Sequence, residues 1–393
     1  MDDSSIAAGR QSRITVRLVS LPGRATRRAS ISAVFLAACA SPGIPPGGPV
    51  DTEAPKIVQI APDSGRTGST PKEVVFRFDE VVNERPSGAP SLTGLFLISP
   101  RSGEPRVEWH RDEIAVRPRR GWRPNTAYTI TLLPGLSDLR GNVRNTGAVT
   151  VFSTGSSIPP GRISGTFYNW TEGRAVPKAF IEARPASDTS IAYVASTDSA
   201  GRFVVATLAP GPYIVRGFSD DNTNKALDPR EAWDTVSVTL TDSSRTDLYA
   251  FVHDSLGARL SAVSLRDSVT LELAFDNPLA LSPVPAAANV RIRASDSTEI
   301  PVASVAPPAV DTTATGPAKL GRPIPTRTLI VKLGRPVRAR TDYRVRVTDI
   351  RSLLGIVKSS ERVLSVPATP TVLPSSIIPG APAPPPPPPP ARR

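Results

Sequence analysis

The 393-residue chain has one cysteine, two histidines and one methionine, and only 5% of its residues are aromatic. A lone cysteine excludes an internal disulfide framework. His110 and His253 stand apart, in no His-x-x-x-His or Cys/His arrangement, which argues against the usual zinc sites. There is no Gly-x-Ser-x-Gly elbow and no phosphate-binding Gly-Lys-Ser/Thr loop, so neither the common hydrolase nor the common nucleotide signature is present. Asp112-Glu113 is an adjacent carboxylate pair of the kind common in loops, and no glycosidase dyad is assigned to it. With few aromatics, the cores have to be aliphatic. No apolar run approaches the roughly 20 residues a membrane span needs.

Proline and arginine, by contrast, are plentiful. The 44 prolines and 27 glycines make up about 18% of the chain, above the roughly 12% average, and imply many turns and linkers. Net charge is +12, yet no Lys/Arg run of the kind that grips nucleic acid occurs, and no nucleic-acid partner is expected. Many arginines alternate with apolar residues, as in Tyr343-Arg344-Val345-Arg346-Val347, which fits a solvated sheet face.

The N-terminus carries the sharpest signal. Arg24, Arg27 and Arg28 precede an apolar run from Ala29 to Ala38, too short to span a bilayer but suited to the h-region of a signal peptide. The run ends in Leu36-Ala37-Ala38-Cys39, which resembles the lipobox of bacterial lipoproteins. That resemblance implies cleavage between Ala38 and Cys39, then acylation of the Cys39 sulfur and the new α-amine, giving a lipid-anchored protein. Each buried methylene adds about 0.8 kcal/mol, and two or more chains anchor stably. Ala40, rather than Asp, resembles the outer-membrane default of such proteins. Residues 1–38 are therefore expected to be a signal peptide and residues 39–50 a flexible tether.

The rest alternates with period two. Val74, Phe76 and Phe78 form one apolar face, Tyr128, Ile130 and Leu132 another, and Val269, Leu271, Leu273 and Phe275 a third. Thr126-Ala127-Tyr128-Thr129-Ile130-Thr131-Leu132 matches Thr341-Asp342-Tyr343-Arg344-Val345-Arg346-Val347, so residues 258–367 look like an internal repeat of residues 51–156. The tyrosine in each copy resembles the tyrosine corner of sandwich folds. Between the copies, residues 158–252 have the same strand-and-turn texture. The expected fold class is all-β: tandem β-sandwiches, Ig-like in the two repeated segments. Residues 368–393, with prolines at 384–390, predict an exposed polyproline II rod, either inert or contacting an envelope partner.

Three ordered clusters carry a family resemblance. They are Asp51-Thr52-Glu53-Ala54-Pro55, Phe76-Arg77-Phe78-Asp79-Glu80, and Asp138-Leu139-Arg140-Gly141-Asn142 followed by Phe152-Ser153-Thr154-Gly155. Together they resemble the SbsA-type Ig-like domain of surface-layer proteins and envelope lipoproteins. The repeat lacks the closing Phe-Ser-Thr-Gly and resembles it less. Thr197, Asp198, Gly201, Phe203, Leu208, Gly211 and Tyr213 make the middle segment similar to transthyretin-like or carboxypeptidase-regulatory-like sandwiches. Neither family brings catalytic residues.

One loop has ligand chemistry. Asp220, Asn222, Asn224, Asp228 and Glu231 stand at positions 1, 3, 5, 9 and 12 of an EF-hand-like spacing, and Ala226 would add its carbonyl. Calcium is the implied ion. Lys225 occupies the position usually held by glycine, and no helices flank the loop, so an acidic turn is the competing account. Trp170 and Trp233 raise the possibility of sugar stacking, against a core or turn role. Two functions follow: a non-enzymatic envelope lipoprotein that spaces or presents a protein-binding surface, or a glycan-binding accessory of the cell surface.

Overall fold

The computed structural model describes residues 50–309 and 321–368. Among these residues the regular structure is β-strand, apart from two short 3₁₀ turns, Thr93–Leu95 and Ala287–Asn289. The all-β expectation holds, and the cores are mostly aliphatic, as the composition requires.

The first sandwich packs two sheets. One orders its strands Ile57–Ala61, Val74–Phe78, Glu113–Arg117, Arg106–His110; the other runs Phe96–Ser99, Ala127–Leu132, Ala148–Ser153. Val74, Phe76 and Phe78 face Phe96, Tyr128, Ile130, Leu132 and Phe152 in one buried cluster. Arg77, between two buried phenylalanines, is exposed, as period-two alternation demands.

The third group repeats this plan. Leu260–Asp267, Thr270–Phe275, Thr328–Leu333 and Val302–Ala306 form a sheet in the same order, first, second, fourth and third in sequence. The opposing sheet holds Val290–Ala294, Asp342–Arg351 and Val357–Ser365, with Glu299–Ile300 as an added edge strand. Tyr128 and Tyr343 are equivalent: each hydroxyl accepts the backbone N–H five residues upstream, from Arg123 at 2.6 Å and from Arg338 at 2.8 Å. Arg344 and Arg346 lie on the solvent side while Tyr343, Val345 and Val347 are buried. One residue departs from the sequence pattern. Val269 sits in the turn before Thr270–Phe275, its N–H bonded to Asp267 Oδ1, and is 39% exposed.

The middle group is a curled nine-stranded sheet. Its path runs Tyr193–Ser196, Phe180–Pro185, Gly211–Phe218, Ala232–Leu240, Leu248–Val252, Gly161–Asn169, Arg202–Leu208. Leu248–Val252 and Ser243–Arg245 both pair parallel to Gly161–Asn169. The inner face buries Ile163, Phe167, Ile181, Val215, Leu240 and Leu248. The outer face carries most of the features described next.

Candidate functional site

Ala38 and Cys39 lie outside the described residues. The EF-hand-like loop lies inside them, joining the strands Gly211–Phe218 and Ala232–Leu240. Its side chains are brought together, but chiefly on each other. Both Asp220 carboxylate oxygens accept the Lys225 backbone N–H at 3.1 Å. Asp228 Oδ2 accepts the amide groups of Asn222 at 2.6 Å and Asn224 at 2.9 Å. Asn224 Oδ1 accepts the Ala226 N–H at 2.7 Å. Glu231 turns to the backbone, accepting N–H groups of Asp221 at 3.1 Å and Asp228 at 2.9 Å. Burial raises the carboxyl pKa of both Asp220 and Glu231. Lys225 adopts φ 58°, the left-handed turn that this loop position requires and that glycine would supply freely.

Among the described residues, three carboxylates converge elsewhere, at Asp51, Glu80 and Asp138. Asp138 is buried but already accepts N–H groups of Arg140 and Asn142. Burial, then the neighbouring Asp138, raises the Glu80 carboxyl. These residues lie one in each of the three motif clusters, but only the closed sandwich juxtaposes them.

The two tryptophans share an aromatic strip on the outer face of the middle sheet. Tyr168 stacks on Tyr249 at 5.5 Å, Trp170 meets Phe251 edge-on at 5.9 Å, and Trp233 stacks on His253 at 3.8 Å. Arg322 lies over the Trp170 and Tyr249 rings at 5.2 and 4.8 Å, and the Trp170 indole N–H donates to the Pro323 carbonyl. The strip is half-buried, and its ring faces are largely taken by one another and by Arg322. Burial lowers the pKa of His253, whose ring stacks between Trp233 and Phe251. Glu113 of the adjacent carboxylate pair is engaged by Arg77.

Further along that outer face, Phe180, Phe218, Ala192 and Val194 pack with Leu97 of the first sandwich in a fourth buried cluster. Charges surround it. Glu182, 3% exposed, accepts from Arg216 at 2.8 Å and Arg184 at 3.0 Å, with Arg101 of the first sandwich 3.8 Å away. Arg101 also donates to the Lys225 carbonyl at 2.5 Å and lies over the Phe180 ring, 5.3 Å from its centre. Lys225 Nζ donates to the Phe96 carbonyl at 3.1 Å. The Arg101 and Ser99 contacts to Ala192 and Val194 complete a polar rim. No local motif announces this junction: alternation puts Phe180 on one strand face with Glu182 and Arg184, a pattern that reads as solvent-facing.

Residues 51–154 match the family model of a bacterial Ig-like domain. No curated protein matches the chain. Among solved structures, a candidate carbohydrate-binding protein of Bacteroides uniformis aligns at 12% identity over 53% of this chain and 100% of its own, with a TM-score of 0.18. Domains 1–6 of the surface layer protein SbsC align at 10% identity over 80% of this chain and 54% of theirs, with a TM-score of 0.20. The major pilin subunit BcpA of Bacillus cereus aligns at 8% identity over 48% of this chain and 67% of its own, with a TM-score of 0.19.

Proposed function

We propose that the chain is a non-enzymatic lipoprotein of the cell envelope, anchored in the outer membrane through Cys39, whose sandwiches act as a structural or protein-binding unit. In this proposal residues 1–38 are removed and 39–50 form a tether. Residues 51–156, 158–252 and 258–367 are the three modules, and 368–393 is the tail. The observation that supports a structural role is the apolar junction of Leu97, Phe180, Ala192, Val194 and Phe218, which joins two sandwiches through buried side chains. Proteins that merely string modules on flexible linkers bury little between them. A glycan accessory role is the second possibility. It draws on the Trp170 and Trp233 strip, but sugars stack on open ring faces, and these are mostly occupied.

Anchoring is tested by metabolic labelling with a fatty acid. Label is expected in the wild type and absent from Cys39→Ser; label retained by the serine variant overturns the anchor.

We also propose calcium as a ligand of Asp220, Asn222, Asn224, Ala226, Asp228 and Glu231. The left-handed Lys225 and the convergence of both asparagines on Asp228 support it. Binding requires the two amides to turn their oxygens inward and Glu231 to release its backbone partners. At a free concentration 100 times the dissociation constant, calcium would add about 2.7 kcal/mol of stability. Melting curves of the full chain in millimolar calcium and in chelator should therefore differ, and the difference should vanish in Asp220→Ala/Glu231→Ala. Coincident wild-type curves would leave the loop as an acidic turn held by its own N–H groups.

A further inference from the structure

Between the first and middle sandwiches lies a cavity of about 320 Å³, lined in part by Phe96, Arg101, Glu104, Phe180, Thr223 and Lys225. Two cations reach it. The Lys225 ammonium is half-buried, carries three N–H groups and has one hydrogen-bond acceptor, the neutral Phe96 carbonyl. Among the described residues no carboxylate forms a direct ion pair with it, and Asp220 and Glu104 act on its charge only from farther away. Asp220 spends its oxygens on the Lys225 backbone N–H, and Glu182 is already shared by Arg101, Arg184 and Arg216. Glu104 is exposed at the rim. A half-buried ammonium beside a guanidinium, with one neutral acceptor and no directly paired carboxylate, gains from a counter-charge that completes it.

The backbone is also held under strain at this wall. Thr223 and Lys225 adopt φ of 60° and 58°, a region disfavoured for side-chain-bearing residues and most of all for a β-branched one. Non-glycine residues kept there cluster at ligand sites, and small-molecule sites favour the seams between domains. The strained turn is what sends the Lys225 side chain across to the first sandwich while its N–H stays on Asp220.

We propose that this cavity binds a small soluble oxyanion, a phosphate or carboxylate group, held by the Lys225 ammonium and the Arg101 guanidinium. Arginine offers paired N–H donors matched to such oxyanions, and lysine a point charge. The volume suits a small solute rather than a chain. The occupant would tie the two sandwiches together by bridging a cation from each.

The test uses the purified full chain in calcium-free buffer at constant ionic strength, with inorganic phosphate and acetate as probes and chloride as the reference. Saturable binding at one site is expected, and the bound anion should protect Lys225 from amine acylation, read by mass spectrometry on the wild type. Lys225→Met keeps the stem and removes the charge. It should weaken binding about tenfold or more, the worth of one charge-assisted hydrogen bond, with an unchanged circular dichroism spectrum. Glu104→Gln, which removes a competing carboxylate from the rim, should tighten it. Lys225 that is acylated equally with and without phosphate or acetate, or a folded Lys225→Met chain that binds as the wild type does, overturns the proposal.

Discussion

Glu182 sits where a lone carboxylate answers three guanidinium groups. It lies opposite Arg216 across the antiparallel pair, with Arg184 two residues along the same face. Burial alone would raise its carboxyl pKa, but the hydrogen bonds from Arg216 and Arg184, with their charges, outweigh that and hold it below the ordinary value near 4.5. A folded-state pKa lowered in this way contributes stability above the unfolded value, and that contribution is lost as pH falls through the folded one. Glu182→Gln should therefore cost about 3 kcal/mol at neutral pH, since it strands the arginines around a neutral amide. Its stability curve should converge with that of wild type as pH falls below about 4.5. Urea unfolding of both chains at pH 7 and pH 3.5 measures this, and a gap that stays constant with pH would refute the charge account.

At the scale of strands, much of the molecule was legible. The faces Val74/Phe76/Phe78, Tyr128/Ile130/Leu132 and Leu271/Leu273/Phe275 are buried as alternation required, because a half-buried strand leaves a local period that needs no partner to read. The matching tyrosine segments also end in matching hydroxyl-to-backbone closures. What local period does not encode is which strands pair across long separations. Leu248–Val252 returns parallel to Gly161–Asn169, about 80 residues upstream, and this pairing assembles Tyr168, Trp170, Tyr249 and Phe251 into one strip. Trp170 read alone offered only a core or turn role or a sugar platform. The same crossover explains Gly165. A Cβ there would stand 1.7 Å from the Thr246 carbonyl oxygen, backbone that cannot swing aside, and 3.1 Å from the Phe203 ring. Gly165→Ala should force the parallel strand away and cost about 3 kcal/mol, at the upper end of overpacking penalties. Denaturant melts would measure the loss, and a change below about 0.5 kcal/mol would show that the Ser243–Arg245 edge yields freely.

At the scale of the molecule, the question is whether the first two sandwiches unfold separately. Their sequences read as independent modules, since each has its own core and its own closing turn. The junction between them was not legible, because Leu97 and Phe180 are apolar residues on strand faces that single-module reasoning assigns to solvent. In the folded chain Leu97, Phe180, Phe218, Ala192 and Val194 are all at most 6% exposed, and the Arg101 N–H bonds the Ala192 carbonyl at 2.7 Å. Burial on this scale couples the stability of the two sandwiches, so loss of one exposes apolar surface on the other. Phe180→Ala, which empties the centre of the cluster and removes the ring beneath Arg101, should cost about 3–5 kcal/mol, the usual penalty for truncating a buried phenylalanine. The location of the effect is more diagnostic than its size. Native-state hydrogen exchange should quicken in both partners of the junction, in Phe96–Ser99 of the first sandwich as well as in Tyr193–Ser196 and Gly211–Phe218 of the middle one. Quickening confined to the middle sandwich would show that the two modules touch without sharing stability, and the structural role proposed for the pair would fall with it.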